Sequence, residues 1–212
     1  MENNTYPFVN LPLPYDYNAL EPYIDAKTMA IHYDVYLQGY IDKLNQTISE
    51  FPELQLLTLE ELIVGSVYLL EALQVPIQNN AGGIYNHRMY FNGMQEPSDR
   101  QPQGQLIKMI EAQYGNLDNF LYAFKKEAMG IFGSGYTWLV FDNARLRITT
   151  TANQKNPITL GFCPIMALDV WEHAYFLKHY NERSSYIDDW FQVINWDKAN
   201  ENYMECIKKP II

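Results

Sequence analysis

Asp169 and His173 are the pair in this chain best placed to act on something together. They lie in Asp169-Val170-Trp171-Glu172-His173-Ala174-Tyr175, directly after an apolar run, residues 162–168, that reads as a buried strand. A carboxylate at the end of a strand and an imidazole four positions on can meet at one point. Both side-chain types bind transition metals at neutral pH. Taken alone, the Asp-x-x-x-His spacing is common and is more often a structural pair. The other histidines change the balance. The chain has 4 His. His179, among Lys178, Tyr180 and Asn181, reads as a surface residue, whereas His32, His87 and His173 each fall in an apolar, aromatic setting. Three imidazoles and one carboxylate suit manganese, iron or zinc, and the residue types do not choose among them.

The elements that must position these groups are legible in the periodicity. A Pro- and Tyr-rich arm, residues 5–24, precedes Asp25, a helix cap. From Ala26 to about Phe51 apolar residues recur at helical spacing, with His32, Tyr36 and Tyr40 at i, i+4 and i+8 on one face. Thr58-Leu59-Glu60-Glu61 reads as a capping box opening a helix through about Leu73. A break is expected at Asn79-Asn80-Ala81-Gly82-Gly83, followed by a helix from Ile84 to Met94 that carries His87. The polar stretch 95–104, with Pro97 and Pro102, reads as a linker between an N-terminal domain, 1–95, and a C-terminal one, 105–212. Beyond it come one helix from Gln105 to about Met129 and a turn at Phe132-Gly133-Ser134-Gly135. Two strands, 136–141 and 146–151, form a hairpin through Asp142-Asn143; 162–168 supplies a third strand, and the remainder is mostly helical. The fold class is α+β, an all-helical first half before a mixed second half.

With 212 residues, 48% apolar and 19% charged, the chain is globular with a sizeable core. A net charge of −10 argues against nucleic acid as a partner. It does not exclude a small anion guided by a few basic residues. The N-terminus lacks the pattern of a signal peptide. No apolar run approaches the ~20 residues of a membrane span. Cys163 and Cys206 show no metal-binding spacing and no disulfide framework, so Cys163 is expected to be a reduced core residue and the location cytoplasmic.

The Asp169–Tyr175 heptad resembles the signature of the iron/manganese superoxide dismutases. Leu13-Pro14-Tyr15 with Ala19-Leu20-Glu21-Pro22, Asn79-Asn80-Ala81-Gly82-Gly83 with Asn86-His87, Phe132-Gly133-Ser134-Gly135, Thr151-Ala152-Asn153-Gln154 and Ile194-Asn195-Trp196-Asp197 also match that family, in the same order. The resemblance covers roughly residues 11–200. It implies an N-terminal helical hairpin domain and a C-terminal domain with a three-stranded antiparallel sheet. One manganese, or alternatively iron, would be held by His32, His87, Asp169 and His173. The implied reaction converts superoxide anion to dioxygen and hydrogen peroxide by alternate reduction and oxidation of that ion.

The resemblance also assigns roles around the ligands. Tyr40 matches a gateway tyrosine, and Gln154 matches a glutamine bonded to the metal-bound solvent. Glu172 matches a residue that reaches the partner's ligand in a homodimer, and Arg183 a basic residue at the funnel mouth. Trp138 and Trp171 are expected beside them. Gly83 together with Gln154 is the arrangement of the manganese-preferring members. Three positions depart from the pattern: Tyr36 stands where His is common, Phe176 where a Tyr meets that His, and Tyr136 where a Trp packs beside the glutamine. From the residues alone, two other readings are a metal-dependent oxygenase or hydrolase and a relative that keeps its metal for structure only.

Overall fold

Asp25 caps the first helix as expected, its carboxylate accepting the Thr28 N–H at 2.9 Å. The computed structural model describes residues 3–99 and 101–208. Met1, Glu2, Arg100 of the expected linker, and 209–212 lie outside the described residues. Helix α1 (Ala26–Ile31) passes through a π-helical turn (His32–Leu37) into α2 (Gln38–Ile48). The π turn starts on His32, and such wide turns occur often at functional sites. Met29, Leu37, Ile41, Leu44 and Ile48 form the buried stripe of this long element.

After a short turn of helix, α3 (Pro52–Gln55), the Thr58/Glu61 capping box opens α4 (Leu59–Gly65), both reciprocal bonds being present. The helix ends earlier than its periodicity implied, in a 3-10 turn at Ser66–Tyr68. Helix α5 (Glu71–Asn92) then runs unbroken through residues 79–83, where a loop was expected. Gly82 and Gly83 are there for close packing. A Cβ on Gly82 would collide with the Gln154 carbonyl oxygen, and one on Gly83 with the Tyr40 ring. Helix α5 packs along α2, so the two form the helical hairpin.

In the second half, the single helix expected over 105–129 is two: α6 (Gln105–Tyr114) and α7 (Leu117–Met129). Gly115 at φ +89° ends the first, and the Asn116 side chain caps the second by accepting the Asn119 N–H at 2.8 Å. Strands β1 (Gly135–Asp142), β2 (Arg145–Ala152) and β3 (Cys163–Asp169) form one antiparallel sheet in the order β2-β1-β3. The turn between β1 and β2 passes Asn143 at φ +52°, a conformation Asn tolerates. Helices α8 (Phe176–His179), α9 (Arg183–Phe191) and α10 (Trp196–Lys208) complete the chain. The two halves are tied by backbone bonds from Gln95 N–H to the Val193 carbonyl and from Asn195 N–H to that of Gly93, each 2.8 Å.

Two expectations are overturned here. His179 is buried, because α8 packs against α9 and sets its Nε2 2.8 Å from Asp189 Oδ2. Cys163 is not a free thiol: it is disulfide-bonded to Cys206, with Cα atoms 5.7 Å apart. The bond arises because α10 lies across β3 and brings together residues separated by 43 positions, a juxtaposition their spacing does not reveal. On loop-closure arguments a cross-link of this span stabilises by about 4 kcal/mol. Reduction, or Cys163→Ser with Cys206→Ser, should therefore lower the melting temperature by roughly 10 °C. Calorimetry with and without reductant checks this; coincident melts would show the bond contributes nothing.

Candidate metal centre

Four elements converge on one point. His32 projects from the π turn, His87 from the middle of α5, Asp169 from the end of β3, and His173 from the one-turn 3-10 helix that follows (Glu172–Ala174). One donor atom from each lies within 4.8 Å of the others. Asp169 Oδ2 is 3.3 Å from His32 Nε2, 3.9 Å from His87 Nε2 and 3.2 Å from His173 Nε2. His32, His87 and Asp169 are fully buried.

The hydrogen bonds set the atoms for coordination. His87 Nδ1 is 2.6 Å from the Gly83 carbonyl, which accepts only if Nδ1 carries the proton, leaving the Nε2 lone pair free. Asp169 Oδ1 accepts the Trp171 N–H at 2.8 Å, so Oδ2 alone faces the imidazoles. His32 Nε2 and His87 Nε2 are buried without hydrogen-bond partners. Orphaned buried nitrogens of this kind are costly unless something binds them. Burial, reinforced by neighbouring His173, pushes His32 down to about 4; burial, reinforced by His32, pushes His87 down to about 3. Both are thus neutral at pH 7 with lone pairs available. Burial by itself would raise Asp169, but His173 and His32 hold it below the usual carboxylate range. Two neutral, buried imidazoles and a buried carboxylate, with the His173 imidazole beside them, fit a divalent or trivalent manganese or iron ion.

Around this cluster a polar chain leads outward. Gln154, buried, donates from Nε2 to the Tyr40 hydroxyl at 3.0 Å, and the Tyr40 ring lies 5.3 Å from that of His87. Burial raises the Tyr40 pKa, so its hydroxyl keeps its proton at neutrality. Two residues to which the sequence analysis gave no role hold Gln154 in place. Asn86 donates to Gln154 Oε1 at 3.0 Å, and Asn156 donates to Asn86 Oδ1 at 2.7 Å. Asn86, polar in an apolar stretch beside His87, was the available signal. Tyr186 was likewise missed. Its hydroxyl donates to the Asp169 carbonyl at 2.8 Å and meets the Tyr90 hydroxyl at 3.0 Å.

The other expected site residues are distributed as follows. Tyr36, half exposed, stacks on His173 with ring centroids 4.3 Å apart. Trp171 stacks on the same imidazole at 5.4 Å. Tyr136 is buried, its hydroxyl 3.4 Å from His87 Nδ1. Trp138, buried next to Tyr136, donates its indole N–H to Thr151 Oγ1 at 2.9 Å. Glu172 and Phe176 are exposed. Arg183 spends its guanidinium on the carbonyls of Ile131 and Gly133 and on the Tyr175 hydroxyl.

The packing of Tyr40 against Gly83 yields a direct test. Gly83→Ala should displace the Tyr40 ring and lengthen its bond to Gln154, at a cost of about 1–3 kcal/mol from overpacking. A crystal structure and a denaturant melt of the variant check both; an unmoved Tyr40 would refute the close approach.

Comparison with known proteins agrees with this architecture. Residues 7–95 match the family model for the iron/manganese superoxide dismutase alpha-hairpin domain, and residues 102–202 that for the C-terminal domain. The chain is 42% identical over 201 residues to superoxide dismutase (Mn) 1 of Leptolyngbya boryana, covering 93% of this chain and 81% of that protein. It is 44% identical over 191 residues to superoxide dismutase (Mn/Fe) 2 of Staphylococcus aureus strain bovine RF122 / ET3-1, covering 90% of this chain and 94% of that one. With both family models matched in order over nearly the whole chain, around a buried His-His-Asp-His cluster, the protein belongs to the iron/manganese superoxide dismutases.

Proposed function

We propose that the chain is a superoxide dismutase that binds one manganese ion through His32, His87, Asp169 and His173, with iron able to take the same ligands. The observation that carries this reading is the convergence of three imidazole nitrogens and one carboxylate oxygen within 4.8 Å, beside the Gln154–Tyr40 pair. The bound ion would supply a one-electron redox couple, oxidising one superoxide and reducing the next. The chain's own residues do the rest. His32, His87 and Asp169 form the fully buried part of the site. Gln154, clamped by Asn86, presents its amide to Tyr40. The Tyr40 hydroxyl, accepting from Gln154, keeps its own proton available for the peroxide product, which is too basic to leave unprotonated. Tyr40 is only partly buried, so it can recover that proton from solvent.

Two further parts belong to the same reading. The ligands come in pairs from units proposed to span 1–95 and 105–212. Exposed Glu172, beside His173, together with exposed Tyr36 and Phe176, supports a homodimer in which Glu172 bonds the partner subunit's ligand histidine and orients it. No helix among the described residues is long and apolar enough to cross a membrane. The Cys163–Cys206 bond removes one ground for a cytoplasmic location, the expected reduced thiol; disulfides persist in oxidising compartments.

Preference for manganese rests on Gly83, which leaves room for Tyr40, and on Gln154 reaching in from the sheet domain. Stripping the metal and reconstituting should give higher dismutase activity with manganese than with iron. Asp169→Ala, lacking the only carboxylate, should lose most of its metal by elemental analysis. Iron as the better metal would reverse the preference, and full metal content in Asp169→Ala would mean the ligands are misassigned.

For the dimer, Glu172→Ala should shift sedimentation toward monomer and weaken metal retention roughly 10- to 100-fold. Unchanged sedimentation together with unchanged retention would remove Glu172 from the interface.

A further inference from the structure

A carboxamide turned over by half a turn keeps its shape and exchanges its donor for its acceptor, so partners alone decide its orientation. Three buried carboxamides lie in series behind Tyr40: Asn156, Asn86 and Gln154. Asn156 stands at the start of the 3-10 turn Pro157–Leu160, where its Oδ1 accepts the Ile158 N–H at 2.9 Å. A backbone N–H can only donate, so this end of the series has no choice. Asn156 Nδ2 must face the other way, and it donates to Asn86 Oδ1 at 2.7 Å. That leaves Asn86 Nδ2 for Gln154 Oε1, which accepts at 3.0 Å, and Gln154 Nε2 for the Tyr40 hydroxyl, also at 3.0 Å. All four bonds run in one direction. The Gln154 carbonyl, 3.3 Å from Asn86 Nδ2, favours the same orientation through a longer contact. Turning any one amide alone would set donor against donor and acceptor against acceptor in a buried setting.

We propose that Asn156 is a positioning residue: anchored on the Ile158 N–H, it fixes which way round the Asn86 and Gln154 carboxamides sit and so turns the Tyr40 proton outward. Among the described residues it bonds neither a metal-ligand residue nor Tyr40, and it acts through Asn86. The inference rests on the dismutase reading above, in which Tyr40 supplies a proton to peroxide. With Gln154 Nε2 toward it, the Tyr40 oxygen accepts, and its own O–H is free to point to the substrate side. With Gln154 Oε1 toward it, the same hydroxyl would donate inward and the amide would hold its proton.

The test is neutron diffraction on perdeuterated, manganese-loaded, full-length protein, which locates the deuterons on each amide and on Tyr40. In the unaltered protein they are expected on Asn156 Nδ2, Asn86 Nδ2 and Gln154 Nε2 in series, with the Tyr40 deuteron pointing away from Gln154. Gln154 Oε1 facing Tyr40 overturns the proposal. Asn156→Asp keeps the acceptor for the Ile158 N–H and presents a second oxygen to Asn86. Where that oxygen is ionised, both amides should turn over and Tyr40 should donate to Gln154; where it carries a deuteron, the original direction should persist. Either other combination overturns the proposal. If this variant does not fold, Asn156→Leu removes the donor, and Asn86 and Gln154 should then occupy both orientations. One unchanged orientation would place the lock elsewhere and overturn it too. Pulse radiolysis separates the two half-reactions: a turned chain should reduce superoxide about tenfold or more slowly, and oxidise it within about twofold of the unaltered protein. A turned chain with an unslowed reduction step would remove the role in directing the proton. Orientation is read independently of turnover, so a protein that binds manganese without dismutating superoxide would sink the functional reading alone.

Discussion

The structure depends on a carboxylate placed where water cannot reach it. Asp169 is fully buried at the end of β3, and its charge is tolerable only because three imidazoles surround Oδ2 and a backbone N–H satisfies Oδ1. Each of the three imidazoles comes from a different element, so the elements must be held in register around one atom. Tyr186 and Tyr90 do part of this. The Tyr186 hydroxyl binds the Asp169 carbonyl and also the Tyr90 hydroxyl, which joins α9, β3 and α5 at one buried point. The ligand cluster is thus where the helical half and the sheet half of the chain are locked together, as much as a place for chemistry.

The same closeness explains residues that otherwise look out of place. A helix carrying two adjacent glycines is weak by propensity. In α5 they are tolerated because Gly82 admits the backbone of Gln154 and Gly83 the ring of Tyr40. The cost in helix stability is offset by the approach of the two polar side chains that flank the ligands. The π turn at His32 is a comparable local concession: it widens the helix where a ligand must reach inward while Tyr36, on the next turn, stays half exposed over His173.

The polar groups near the ligands form a connected set. Asn156, Asn86, Gln154 and Tyr40 are linked one to the next, running from the buried interior to a partly exposed hydroxyl. In a low-dielectric interior such a chain is stable only when its members are satisfied. The aromatic residues, Phe91 at 4.9 Å from His32 and Trp171 and Tyr36 on His173, exclude water from the imidazoles without competing for their nitrogens.

Much of this was legible before any coordinates. Alternation and turn residues marked the β1–β2 hairpin, since a two-residue turn through Asn143 is a local matter. Capping chemistry located the starts of α1 and α4 for the same reason. The ligands stood out because so few histidines occur and three of them lie in apolar settings. What local signals could not settle was decided by partners distant in the chain. The glycines at 82 and 83 read as a break because glycine is a breaker in isolation; only Gln154 and Tyr40, packed against them, show why the helix continues. Cys163 and Cys206 looked unrelated until α10 crossed β3 and brought them within bonding distance. His179 looked exposed among polar neighbours until α9 covered it. Residue types and their spacing determined which groups could bind a metal. The tertiary structure decided which nitrogens are left without partners and which hydroxyl Gln154 reaches, because those are properties of contacts between segments and of the water they exclude.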